Sequence, residues 1–192
     1  MLKLLYNWTL SLARHPNALV ALALVSFLES SVFPIPPDVL MIGMIIAQPN
    51  RAFVIALVAT VSSVAGGLAG YWIGQEAFET LGRPILKFYG KESYFSEFQT
   101  RYNEWGAWAV LIAGVTPFPY KVITILSGAT GLSLTVFMVA SVIARALRFF
   151  LVAFLLWKFG NPIRDFIERR LGLVFTIFVG LLLGGFVLVR YL

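Results

Sequence analysis

The chain has 192 residues, of which 59% are hydrophobic and only 12% are charged, with a mean hydropathy of +0.86. Soluble proteins carry about 25% charged residues, so this composition excludes a soluble domain and predicts one integral membrane domain over residues 1–192. The absence of cysteine excludes thiol catalysis, disulfides and thiolate metal sites. The net charge of +6 suits anionic membrane lipids as partners, and basic residues scattered among apolar segments do not predict nucleic-acid binding.

The first 15 residues are predicted to form an interfacial helix rather than a cleaved signal peptide. Polar side chains interrupt the apolar residues and share one helical face, opposite a face of leucine and tryptophan. These polar residues are Lys3, Asn7, Ser11 and Arg14. The lone histidine, His15, is expected to be a solvated helix end, and no metal or cofactor is predicted.

Two proline-containing segments interrupt long apolar runs and resemble each other. Their prolines are Pro34, Pro36, Pro37, Pro117 and Pro119. Proline removes a backbone donor and clashes with the preceding turn, so each segment should break a helix. In a bilayer, paired breaks in the two halves of a chain indicate a transporter's binding site. The first segment is followed by Asp38 and the second by Lys121, and we expect these opposite charges to pair.

The predicted fold is an all-α polytopic membrane protein, built as an inverted repeat of two re-entrant helical hairpins, each followed by a transmembrane helix. A C-terminal transmembrane helix and amphipathic interfacial helices complete it. The segments are a hairpin at 17–48, a span at 52–74, an amphipathic segment at 75–105, a hairpin at 107–131, a span at 134–157, an elbow at 158–170 and a span at 171–189. The competing interpretation of 17–48, two spans joined by a tight turn, would leave the second limb at half the required length.

Local patterns refine this plan. Gly66, Gly67, Gly70 and Gly74 share a face of the first span and indicate close helix packing, and such glycine faces also allow a homodimer. In the amphipathic segment, Glu97 can pair with Arg101 one helical turn later. The basic residues at the start of the chain and in the elbow predict that both are cytoplasmic.

Five charged residues lie within the apolar segments: Glu29, Asp38, Lys121, Arg145 and Arg148. A charge at the bilayer centre costs about 2.5–3.5 kcal/mol on insertion scales, so these residues should be paired. Two acids against three bases leave one positive charge, which suits an anionic phosphate. We therefore expect a water-accessible cavity that takes a lipid head group, with Glu29 and Asp38 as proton-titratable partners of the bases.

Structural roles remain open for the same residues. Asp38 with Lys121 could be a buried pair that only joins the hairpins, and Glu29 could be simply a partner of Arg145. Arg145 and Arg148 favour a function, since a structural pair needs only one base per acid. Thr116, Thr124 and Ser127 either line the cavity or hydrogen-bond to their own helices.

Several motifs, taken in order over residues 20–160, resemble the DedA membrane protein family, also described as the VTT or SNARE-associated type. They are Glu29, Pro36-Pro37-Asp38, Gly70-Tyr71-Trp72-Ile73-Gly74, Gly82-Arg83 to Gly90 and the second proline segment. Residues 145–149 look like the shorter YqaA-like branch. The resemblance implies two facing re-entrant hairpins, transport of lipids or proton-dependent transport, and a functional acidic pair at Glu29 and Asp38. The family's second hairpin usually has two arginines, whose positions here fall on Val115 or Thr116 and on Lys121.

The most favoured function is a flippase or scramblase for phospholipid or polyprenyl-phosphate lipids in the bacterial cytoplasmic (inner) membrane. Coupling of this transport to protons is compatible with the same site. The alternative is a proton- or ion-coupled secondary transporter of small solutes. An enzyme such as a lipid phosphatase is not favoured, because no spacing of nucleophile and base stands out.

Overall fold

The computed structural model describes residues 17–32, 37–116, 118–160 and 162. The predicted interfacial helix at 1–15, the last span at 171–189 and most of the elbow lie outside these residues. Of the prolines in the two breaks, Pro37 and Pro119 are described, whereas Pro34, Pro36 and Pro117 are not.

The described residues form helices joined by short turns. In chain order the helices are α1 (Ala18–Ser31), α2 (Pro37–Ala47), α3 (Ala52–Ala77), α4 (Arg83–Phe88), α5 (Glu92–Val115), α6 (Tyr120–Ala129) and α7 (Leu134–Gly160). A 3₁₀ turn at Pro49–Arg51 precedes α3, and a π-helical turn at Phe78–Gly82 joins α3 to α4. The chain is therefore helical throughout Pro49–Phe88.

Helices end and begin on either side of both proline segments, as the sequence predicts. Pro37 is the first residue of α2, where a missing N–H costs nothing because the first helical donors have no partner anyway. At the second segment α5 stops at Val115, and Thr116 is extended, with φ −80° and ψ 169°. Proline disfavours helical geometry in the residue before it, which explains why the helix ends there.

Two helices, Pro49–Phe88 and Leu134–Gly160, are long and apolar enough to cross a membrane. The spans predicted at 52–74 and 134–157 fall within them. By contrast α2 has 11 residues and is about 17 Å long, roughly half the thickness of a hydrocarbon core.

One helix continues across a predicted segment boundary. The sequence suggested an amphipathic segment that ends at residue 105 and a hairpin limb from 107, and α5 runs unbroken over both. The change from polar to apolar side chains does not interrupt the backbone, and Gly106 is buried within the helix, against Leu132. The first limb of the second hairpin is therefore the apolar end of a 24-residue helix.

The glycine face of α3 packs against α1 and α6. A Cβ added at Gly66 would overlap the carbonyl oxygen of Phe27 in α1, and one at Gly74 would overlap the carbonyl oxygen of Ile125 in α6. Close helix packing, predicted for these glycines, is thus confirmed. This face of α3 is therefore occupied within the chain.

The other long helix, α7, packs against the remaining limbs. Its buried Phe149 and Ala153 belong to one hydrophobic cluster with Met41 of α2. The same helix also packs closely on α5, because a Cβ at Gly114 of α5 would overlap Ala144 of α7. This packing brings the arginines of α7 beside both proline breaks.

Candidate functional site

The five charged residues predicted for the site lie on four helices. Glu29 is near the end of α1, Asp38 is in the first turn of α2, Lys121 is in the first turn of α6, and the two arginines are on α7. Arg145 and Arg148 are three residues apart, so they share a helical face and reach the first hairpin together. Each arginine forms an ion pair with one of the two acids.

Glu29 pairs with Arg145 in the more enclosed of the two ion pairs. Arg145 Nη2 donates to Glu29 Oε2 at 3.0 Å, and Arg145 Nε donates to Ser63 Oγ at 2.5 Å. Ser63 Oγ also lies 2.6 Å from Ser30 Oγ, and the Ser30 hydroxyl donates to Glu29 Oε2 at 3.1 Å. The four side chains close a polar ring that joins α1, α3 and α7, and the predicted pairing of Glu29 with Arg145 is confirmed.

Aromatic rings cover the same guanidinium. Arg145 Cζ lies 4.7 Å from the ring centroids of both Tyr120 and Phe149, which is within the range of a cation–π interaction. Tyr120 is itself fixed by its hydroxyl, which donates to Ser141 Oγ at 2.5 Å. As a result Arg145 is only 1% exposed.

Asp38 pairs with Arg148 and not with Lys121, so the predicted pairing of Asp38 and Lys121 is wrong. Arg148 Nη2 and Nε donate to the two carboxylate oxygens of Asp38 at 2.7 and 3.4 Å. Arg148 Nη1 donates to the carbonyl oxygen of Thr116 at 2.6 Å. A planar guanidinium can satisfy a carboxylate and a carbonyl at once, whereas an ammonium offers no matching fork.

Lys121 instead contacts the C-terminal end of α1. Its Nζ donates to the carbonyl oxygen of Val32, at 3.2 Å. Val32 follows the last residue of α1, where carbonyl groups have no partner within the helix and the helix dipole favours a cation. In the part of the chain that the structure describes, no carboxylate lies within salt-bridge distance of Lys121.

Hydroxyl groups of α6 also join the hairpins. Thr124 Oγ1 lies within hydrogen-bond distance of two carbonyl oxygens, that of Ser30 in α1 and that of Lys121 in its own helix. The Ser127 hydroxyl bonds with Tyr102 of α5 at 3.0 Å. Thr124 thus forms the intrahelical bond that the sequence favoured and a bond across the hairpins as well.

Comparison with known proteins identifies the family. Residues 33–158 match the model of the VTT domain, the domain of DedA proteins. The chain belongs to the DedA family. An uncharacterized protein of Haemophilus influenzae is 34% identical over 168 residues, which is 85% of this chain and 87% of the relative. An uncharacterized protein of Histophilus somni is 37% identical over 168 residues, again 85% of this chain and 87% of the relative. No solved structure matches the chain.

DedA proteins are membrane proteins of a transporter type rather than enzymes. The resemblance that the sequence motifs indicated is therefore shown. The resemblance implied an arginine at Val115 or Thr116, where this chain has none. Arg148 reaches the same place from α7, because its guanidinium lies on the Thr116 carbonyl.

Sequence reasoning missed two residues of the site. Ser63 lies in the middle of α3 as one of a pair of serines, and Tyr120 stands between Pro119 and Lys121. Both are 0% exposed. The only available signal was a hydroxyl-bearing residue inside an apolar span or next to a helix break, and such residues usually bond to their own helix.

Proposed function

We propose that this DedA protein moves phospholipid or polyprenyl-phosphate lipids across the bacterial cytoplasmic (inner) membrane as a flippase or scramblase. The anionic head group binds between the two proline-broken hairpins, while the acyl chains remain in the bilayer. One observation carries this proposal: Lys121 follows the second proline segment and has a neutral carbonyl, that of Val32 at the end of α1, as its partner.

Charge at the site supports an anionic ligand. Glu29 and Asp38 neutralise Arg145 and Arg148, which leaves Lys121 as the positive charge in excess. A phosphate oxygen can replace the Val32 carbonyl as acceptor of the Lys121 ammonium and gain full charge attraction. The side chains of Arg148 and Asp38 are 16% and 20% exposed, so this pair is more accessible than Arg145.

Packing of the two halves supports an inverted repeat of re-entrant hairpins as the scaffold. The first span, α3, packs on the first limb of its own hairpin and on α6, the second limb of the other. The second span, α7, packs on the first limb of its own hairpin, α5, and on α2, the second limb of the other. Each span therefore contacts the same two parts of the repeat, which is consistent with a pseudo-two-fold arrangement of the halves.

Protons provide a route for coupling. Protonation of Asp38 would remove the charge that holds Arg148, so that the guanidinium could turn to a phosphate. Glu29 would release Arg145 in the same manner only if its other contacts also yielded. The transport cycle we propose thus has Asp38 as the exchangeable partner of Arg148.

The test is movement of labelled lipid in liposomes that contain the purified protein. Labelled phosphatidylglycerol should cross faster than in protein-free liposomes, and Lys121→Gln and Asp38→Asn should each abolish most of this gain at equal folded amounts. Lys87→Gln, which removes a cation from the polar middle of the chain, serves as the matched control and should behave as wild type. Comparison of phosphatidylglycerol with phosphatidylcholine tests whether the head group must be anionic.

Absence of lipid movement in the wild type, with and without a pH gradient, would contradict the proposal. Uptake of a small solute driven by that gradient in the same liposomes would then support the alternative, a proton- or ion-coupled secondary transporter. The partly exposed carboxylates of Glu29 and Asp38 are the groups that such coupling would use.

A further inference from the structure

We propose that Ser63 and Tyr120 are positioning residues that hold Arg145 as a fixed cation, so that Arg148 and Lys121 are the cations that meet the ligand. The first half of this inference concerns the molecule itself. The second half rests on the proposed function, because it assigns the head group to one part of the charged cluster.

The described residues enclose the Arg145 guanidinium almost completely. Ser63 accepts from Nε, Glu29 accepts from Nη2, and the rings of Tyr120 and Phe149 approach Cζ at 4.7 Å. Only 2% of the Arg145 side chain is exposed, against 16% of the Glu29 side chain. The carboxylate is thus the one exposed partner, and the guanidinium would stay in place if that carboxylate became neutral.

The contacts of Arg145 come from three other elements of the fold as well as its own helix. Glu29 lies on α1, Ser63 on α3 and Tyr120 on α6, while Phe149 follows on α7. Displacing the guanidinium would require simultaneous loss of contacts on all these helices, and would break its hydrogen bond to Ser63 in a buried site. Loss of hydrogen bonds by buried polar groups carries a large desolvation cost.

Arg148 is held more lightly. Its partners are one carboxylate and one carbonyl at a helix end, and 16% of its side chain is exposed. A ligand that displaces Asp38 leaves Arg148 with the Thr116 carbonyl and an open side. The two arginines of α7 thus differ in the number and the exposure of their partners, although they are only one helical turn apart.

The first measurement needs no transport. Phenylglyoxal reacts with arginine guanidinium groups, and mass spectrometry of the full chain's peptides locates the modified residues. In detergent micelles Arg145 should react about tenfold or more slowly than Arg148, because reaction at an enclosed group requires local opening. Equal rates at the two arginines would overturn the proposal that Arg145 is held in place.

Matched variants then test whether Ser63 and Tyr120 are the residues that hold Arg145. Ser63→Ala should raise the reaction rate at Arg145 by about tenfold relative to Arg148, the factor expected from losing one hydrogen bond to a charged group. Ser62→Ala, one position away on the same helix, should leave the ratio unchanged. Tyr120→Leu removes the ring over the guanidinium and should also raise the ratio, whereas Tyr120→Phe keeps the ring and should not. A ratio unchanged in both Ser63→Ala and Tyr120→Leu would overturn the assignment.

Ligand protection tests the second half. Added phosphatidylglycerol should slow modification of Arg148 several-fold, and added phosphatidylcholine should not. In transport, Ser63→Ala should lower the maximal rate with the half-saturating lipid fraction unchanged, whereas Lys121→Gln should raise that fraction. If phosphatidylglycerol protects neither arginine, the proposed function is contradicted. If Arg145 is still unreactive in that experiment, the proposal that Ser63 and Tyr120 hold it remains supported. If Ser63→Ala and Lys121→Gln change the same parameter, the division of roles is wrong.

Discussion

The two helix pairs that flank the proline segments share a backbone plan but differ in charge. In each pair one helix ends before the prolines and the next begins after them, and the pairs pack against α3 and α7. The first pair supplies both acids, Glu29 and Asp38, whereas the second supplies Lys121 and the Thr116 carbonyl. The comparison teaches that the two pairs resemble each other in packing and differ in chemistry, and that both acids of the first pair bind arginines of the second half of the chain.

The largest effect should come from breaking the enclosed bridge between the halves. Arg145→Ala removes the ion-pair partner of Glu29 and one hydrogen bond of Ser63, and removing one member of a buried ion pair costs about 3–5 kcal/mol. We expect the variant to show a sharply lower thermal unfolding temperature in detergent. Arg148→Ala is the comparison, since its pair is more exposed. Equal loss in both variants would contradict the difference in enclosure.

The glycine contacts test whether the two hairpins are anchored alike. Gly66→Ala would push a methyl group into the Phe27 carbonyl of the first hairpin, and Gly74→Ala would do the same to Ile125 of the second. Overpacking of this kind costs about 1–3 kcal/mol, and we expect similar losses in both variants, measured as thermal unfolding in detergent. Gly160→Ala is the control, because a Cβ there meets no atom of the described residues within 4 Å. A loss in only one of the two variants would show that one hairpin is held mainly by its charges.

A double-mutant cycle should measure the more accessible bridge. Asp38→Asn, Arg148→Gln and the double variant should give a coupling energy of about 1 kcal/mol, between the values of exposed and buried pairs. The stabilisation requires the Asp38 carboxylate, so Arg148→Gln should cost less in the Asp38→Asn background than in the wild type. Additive effects of the two substitutions would refute the observed pairing.

Much of the scaffold could be predicted because proline and hydrophobicity act locally. The prolines end α1 and α5 and begin α2 and α6 regardless of the rest of the chain, and the glycine face of α3 is set by helical periodicity. The amphipathic boundary near residue 105 could not be predicted, because a change in polarity along a helix alters what surrounds it and leaves its hydrogen bonds intact. This explains why α5 continues to Val115.

Partner choice within the site was beyond the sequence. The five charges could be named from their apolar surroundings, but which acid meets which base depends on helix placement in three dimensions. The similarity of the two proline segments favoured a pair between Asp38 and Lys121, yet Arg148 offers two donors to that carboxylate and another to Thr116. Ser63 and Tyr120 were missed because buried hydroxyls carry no signal until the packing is known.

The smallest effect tests the corrected pairing most directly. If Lys121 interacts only with the end of α1, Lys121→Met should destabilise the protein by about 0.3–1 kcal/mol, the usual value for a cation at a helix C-terminus, and added salt should reduce the loss. Lys121→Arg keeps the charge and should restore stability, which separates the charge from packing of the side chain. Unfolding temperatures at low and high salt provide the measurement. Were Lys121→Met instead as damaging as Asp38→Asn, and were the two substitutions non-additive, Lys121 would be a true partner of Asp38. The similarity of the hairpins would then extend from their backbones to their charges.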